Sequence, residues 1–297
     1  MAPAPSVRTR IADLGMPFRP QREWSEGRGL LLILAHFLTG TGAGCWLFAV
    51  FFKLHVGLVT GLLLVALGGL AHLLFLGRPE RFWRMVTNFR GSWISRGLAG
   101  MTLFMPVAFL YLLLLSFEMG ESFFRNVTWV LSLLGALWIV VYKGFVWASS
   151  KGIPLWNTPL VPALYITYAL RAGAAMLIML VAFGAGSTAA TSFLEPTKLW
   201  LAVSTAVLVL IYLEVMRGSG ITALRSVNLM LFGRLAPLFY LGVALIGLII
   251  PIAIGSLTYG KTVPVQLLGL AGFFSLIGDL SVIYCIAKAG LYRPLPV

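Results

Sequence analysis

The chain has 297 residues, of which 60% are hydrophobic and only 10% charged, with 22 Lys and Arg against 9 Asp and Glu. A soluble domain carries roughly 25% charge, and a mean hydropathy of +0.96 leaves too little polar surface to face water on all sides. Soluble, disordered, collagen-like and disulfide-scaffold classes are excluded, and an all-α integral membrane protein remains.

Runs of about 20 apolar residues are long enough to cross a bilayer as helices. In chain order, eight are expected at 29–52, 55–77, 98–117, 127–148, 159–182, 197–214, 235–254 and 265–289. They predict an eight-helix transmembrane domain over 29–289, grouped as two four-helix bundles. An arm over 1–28 precedes it and a tail over 290–297 follows. The arm lacks the short apolar core of a secretory signal. Cys45 and Cys285 lie inside apolar runs and read as small packing residues rather than a redox or zinc pair. Gly40, Gly42 and Gly44 of span 1 and Gly61, Gly68 and Gly69 of span 2 predict close helix packing.

Lys and Arg set the orientation. One face would hold Arg8, Arg10, Arg19, Arg22 and Arg28 of the arm, then Arg78, Arg81, Arg84, Arg90 and Arg96 of the 2–3 loop. Lys143, Lys151, Arg217, Arg225, Arg234, Lys288 and Arg293 join them, leaving Lys53, Arg125, Lys198 and Lys261 opposite. The asymmetry predicts both termini in the cytoplasm of a cell with this protein in its cytoplasmic membrane. The net charge of +13 is accounted for by orientation, anionic lipid and an acidic partner, without nucleic acid.

Ionisable groups inside spans are expensive and mark function by default. At about 1.5 Å per residue, His36, His72 and Tyr142 lie roughly 10, 8 and 9 Å below the basic face. Three hydrogen-bonding groups at one depth suit a quinone headgroup, whose two ring oxygens need partners and whose reduction needs proton carriers. A histidine satisfied by a neighbouring carbonyl and a tyrosine anchored at the interface are the plainer alternatives. Arg171 and Asp279 both fall roughly 15–18 Å deep, so they are expected to form an ion pair or part of a proton path.

The loop Phe75-Leu76-Gly77-Arg78-Pro79-Glu80-Arg81-Phe82-Trp83-Arg84 is the most distinctive segment. Gly77 can end span 2, Pro79 suits a first helical turn, and an interfacial helix with a basic side toward water and an aromatic side toward lipid is expected. Ser95 is expected to cap span 3. Continued to Gly97, the segment resembles the signature of the polysulfide reductase membrane-subunit family of NrfD/PsrC type. That family is related to the membrane anchors of dimethyl sulfoxide reductase and sulfite dehydrogenase. Tyr142-Lys143-Gly144-Phe145, Ile153-Pro154-Leu155-Trp156-Asn157-Thr158-Pro159, and His36 with Ala43-Gly44 are similar to further family segments. Phe75 departs from the pattern, since many relatives carry His there.

The resemblance implies a haem-free, quinone-reactive anchor in a respiratory oxidoreductase, with menaquinone or ubiquinone at His36 and Tyr142 and with His72 nearby. It implies a ferredoxin-like iron–sulfur subunit docked on one face and a molybdopterin catalytic subunit beyond it. This protein would hold no iron–sulfur cluster or metal and show no activity alone. Arg78, Arg81, Arg84, Arg90, Trp93 and Arg96 are the expected docking residues, on the cytoplasmic side by the charge count. Two other readings stay open: a secondary transporter using Arg171 and Asp279, and a b-type cytochrome anchor with His36 and His72 as axial ligands.

Overall fold

The computed structural model describes residues 18–117, 122–184, 191–261 and 263–294. Arg8 and Arg10 of the arm and the last three residues of the tail lie outside them. Among the described residues there is no strand, only an isolated bridge between Pro20 and Leu291. Eight helices are long and apolar enough to cross a membrane. Spans 1 to 5 are Gly29–Phe52, His55–Phe75, Trp93–Ser116, Phe123–Ala148 and Leu160–Ala182. Span 6 is Thr191–Gly218, span 7 Leu238–Thr258 and span 8 Val265–Lys288.

Several helices run further than their apolar cores predict. Span 3 starts at Trp93 rather than 98 and is capped by Ser92, whose hydroxyl accepts from the Ser95 amide at 3.3 Å; Ser95 itself is not the cap. The reason is that a helix needs caps and hydrogen bonds, not hydropathy, to begin. A short helix, Ile221–Leu231, adds to the predicted set; its eleven residues fall well short of a span. Span 7 is π-helical over Leu238–Ile249 before turning α-helical, a departure that apolar periodicity does not register. Spans 1 and 2 join through Lys53 and Leu54 alone, with Lys53 in the left-handed region at φ 51° closing the helix.

Spans 1, 2, 3 and 4 pack in a ring, each against the next and span 4 against span 1; spans 5, 6, 7 and 8 do the same. Spans 1 and 5 join the two sets, and both are 67% buried over their most apolar stretch, against 28% for spans 2 and 3. Small residues make the junction possible, as expected where helices gain nothing from excluding water. A Cβ on Gly44 would collide with the Ala169 carbonyl, and one on Gly173 with the backbone of Gly44. Gly42 and Gly61 approach in the same way between spans 1 and 2. Leu63, Leu67 and Leu74 of span 2 are exposed, a ridge suited to lipid.

The segments 19–26 and 288–293 are clasped together. Gln21 donates its amide to Gly290 (2.9 Å), Tyr292 to Arg19 (2.9 Å) and Arg293 to Gly152 (2.8 Å). Lys288 closes the clasp on Glu26 at 2.5 Å.

Candidate functional site

A cavity of about 430 Å³ opens among spans 1, 2, 3 and 4 beneath the 2–3 loop, and His36, His72 and Tyr142 all line it. The rest of its wall is almost wholly apolar, including Leu32, Val65, Leu73, Leu98, Met101 and Val146. The three polar residues come from three different helices and have few competing bonds. His36 and His72 meet edge to face with ring centroids 5.2 Å apart, and no hydrogen-bond partner satisfies the buried His36 Nδ1 or His72 Nε2. The Tyr142 phenol's partner among the described residues is Met101 Sδ, at 3.9 Å, and a thioether is a weak acceptor. Such groups stand ready for a ligand's carbonyl or hydroxyl oxygens.

Backbone packing fixes these side chains. Gly97 of span 3 is buried against the Tyr142 ring so closely that any Cβ there would overlap it. Lys143 is fully buried and donates to the His36 carbonyl at 3.1 Å, tying span 4 to span 1. Lys198 is likewise buried, with Nζ 3.4 Å from the Leu268 carbonyl, so neither lysine presents its charge to water. The charge count takes a lysine near a helix end to reach water, which neither does. Gly69 also differs from its expected packing role: nothing lies within 4 Å of a Cβ placed there, and it lines the cavity.

The loop forms a 3₁₀ helix, Pro79–Asn88, with proline in its first turn. At three residues per turn, side chains at i and i+3 eclipse, so Arg81 and Arg84 form one row, with Arg78 just ahead of the helix at its N-cap position. Arg78, Arg81, Arg84 and Arg90 are exposed. The next row holds Phe82 and Met85, and both line the cavity; this face therefore serves the site as well as the lipid boundary expected of it. Two of the expected docking residues are engaged within the chain. Trp93 stacks on Phe145 (4.5 Å, 17°), and the Arg96 guanidinium lies 4.5 Å over Trp93 while donating to the Phe89 and Arg90 carbonyls at 3.1 and 2.7 Å. They shape the loop, leaving the exposed arginines as its free charges.

Trp24, which no motif or periodicity singles out, lines the same cavity. It stacks on Trp156 at 5.6 Å and meets Trp147 edge-on at 5.4 Å. Its place depends on the clasp, a tertiary feature with no local signal. Deeper in the bundle, Arg171 pairs with Asp279, both side chains 1% exposed. Arg171 Nε donates to Asp279 Oδ1 at 3.0 Å and Nη1 to the Gly247 carbonyl at 3.1 Å, in the π-helical part of span 7.

Fold and cavity together define a polytopic membrane protein of eight spans built around an apolar pocket with a few convergent polar groups. A profile of the family described as Polysulphide reductase, NrfD matches residues 27–294, and the protein belongs to that family. It is 26% identical over 293 residues to one of the chains of the polysulfide reductase of Wolinella succinogenes, covering 86% of this sequence and 91% of that protein. It is 32% identical over 137 residues to one of the subunits of the sulfite dehydrogenase of Allochromatium vinosum, covering 43% of this sequence and only 41% of that protein.

Proposed function

We propose that this protein is the quinone-reactive membrane anchor of a respiratory oxidoreductase, passing electrons between membrane quinone and an extrinsic iron–sulfur subunit of a molybdopterin enzyme. The observation that carries the reading is the convergence of His36, His72 and Tyr142, none with a strong hydrogen-bond partner, on one apolar cavity of about 430 Å³. Family membership and the similarity to subunits of polysulfide reductase and sulfite dehydrogenase support the redox context. The residues fit the cofactor: Met101, Val65 and Leu98 would supply an apolar wall for its ring. His36 and Tyr142 would hold its two oxygens.

When bound, a quinone supplies the two-electron, two-proton couple; the protein supplies position and proton exchange. Gly97 holds the Tyr142 ring, Lys143 holds the span 1 backbone at His36, and Trp24 with Phe82 shields the headgroup from water. His72 abuts His36 and offers a second imidazole for proton exchange. The exposed Arg78, Arg81 and Arg84, with Arg90, present positive charge to an acidic partner surface, on the cytoplasmic side by the charge asymmetry. Substituting His36→Ala and Tyr142→Phe tests this reading in the assembled complex. Quinol-dependent turnover is expected to fall by about 10²-fold or more for the imidazole, with the complex intact. Unchanged turnover in both variants contradicts the assignment.

A further inference from the structure

A second void, of about 10 Å³, is bordered by both His36 and Asp279. It therefore joins the wall of the large cavity to the buried ion pair. Its other polar borders are Thr41, Lys143, Tyr165 and Tyr168. Eight buried side-chain atoms among the described residues have no hydrogen-bond partner, and four of them are His36 Nδ1, Thr41 Oγ1, Tyr165 OH and Tyr168 OH. Orphaned polar atoms are costly, since each forfeits its bonds to water and gains none. Three of these residues, Thr41, Tyr165 and Tyr168, border this void and not the large cavity, and His36 borders both; together they are a chemical demand for something that both donates and accepts. The void's volume is at the lower bound of the roughly 10–15 Å³ a water molecule needs, and a buried water takes two to four polar partners.

We propose that this void is an ordered-water site, and that its water, with the Tyr165 and Tyr168 hydroxyls, relays protons between His36 and Asp279. A proton arriving on one imidazole nitrogen of His36 releases the proton of the other nitrogen to the water. The water passes one on through the Tyr168 hydroxyl to the Asp279 carboxylate. Only N–H and O–H bonds form and break, one positive charge moves, and the reverse sequence carries a proton outward. The Tyr168 ring lies 5.8 Å from Arg171 Cζ, which places this residue beside the ion pair. Lys143, already bonded to the His36 carbonyl, gives the water a further partner. Protonation of Asp279 loosens its hold on Arg171, whose bond to Gly247 remains.

The relay rests on the quinone reading only for what delivers protons to His36; the water site does not. The test is a density map of the protein in lipid nanodiscs at a resolution that shows water. Density within hydrogen-bond reach of the Thr41 and Tyr168 hydroxyls is expected, and it should vanish when Thr41→Val and Tyr168→Phe are combined. An empty void in the unsubstituted protein overturns the proposal. In the assembled complex, Tyr168→Phe should slow quinol-driven turnover by about tenfold or more while leaving the affinity for a quinol analogue unchanged. Wild-type turnover in Tyr168→Phe and in Thr41→Val overturns the relay. Failure of the unsubstituted protein to bind the analogue refutes the quinone reading instead, and the map then decides the water site on its own.

Discussion

The Asp279→Ala substitution removes the charged partner of a guanidinium that has 1% of its side chain exposed and leaves that cation, among the described residues, with the Gly247 carbonyl and the Tyr168 ring. Breaking a buried pair from one side costs about 3–5 kcal/mol, whereas replacing both partners by apolar groups is close to neutral. At roughly 2–4 °C per kcal/mol for a protein of a few hundred residues, the single substitution should lower the melting midpoint by about 6–20 °C. The double substitution Arg171→Met with Asp279→Leu should recover most of that loss. Native thiols supply the assay. Cys45 and Cys285 are free thiols with 0% exposure, so a thiol-reactive fluorophore reports unfolding in detergent. An unchanged midpoint for Asp279→Ala, or a double variant as unstable as the single one, refutes the claim that this pair is a buried charge interaction.

Gly69→Leu, where a side chain meets no neighbour within 4 Å, should leave the midpoint unchanged while weakening quinol-analogue binding by about tenfold, or about 1.4 kcal/mol, read by tryptophan fluorescence. Charge reversal at Arg81 and Arg84 should release the extrinsic subunit from washed membranes, and retention at wild-type levels contradicts the docking role. The clasp closed by Lys288 and Glu26 should be acid-sensitive. The hydrogen bond from Lys288 holds the Glu26 carboxyl below its ordinary value of 4.5, so the clasp's contribution is complete above 4.5 and is lost as the pH falls through the depressed value. Pepsin release of the segment around Trp24 should therefore accelerate as the pH falls below the ordinary carboxyl value of 4.5, and Glu26→Gln should remove most of that pH dependence.

Helix count and the grouping of polar side chains were legible because both rest on local chemistry. Twenty apolar residues specify a span wherever they pack, and His36, His72 and Tyr142 share a depth that simple rise per residue measures. Boundaries were less legible, since Ser92 begins span 3 through a hydrogen bond among polar residues, and span 6 extends past the polar Thr191–Lys198 stretch. What a sequence hides is direction. Lys143 and Lys198 turn inward because carbonyls of neighbouring spans receive them, Trp24 reaches the cavity because two distant segments meet, and Gly69 faces space while Gly68 faces the Thr39 side chain. The three-residue spacing of Arg78, Arg81 and Arg84 has a second consequence: in a 3₁₀ helix the same spacing aims Phe82 and Met85 at the cavity.

The central claim is that a quinone ring sits between His36 and Tyr142. Photolabelling of the purified protein with an azido-quinone, followed by peptide mapping, addresses it most directly. Adducts should fall on the cavity wall, at Val65, Leu98, Met101 or Val146, and should disappear when excess unlabelled quinone is present. Labelling confined to the exposed outer surface of the spans, such as Leu63, Leu67 and Trp200, and indifferent to competition, contradicts it.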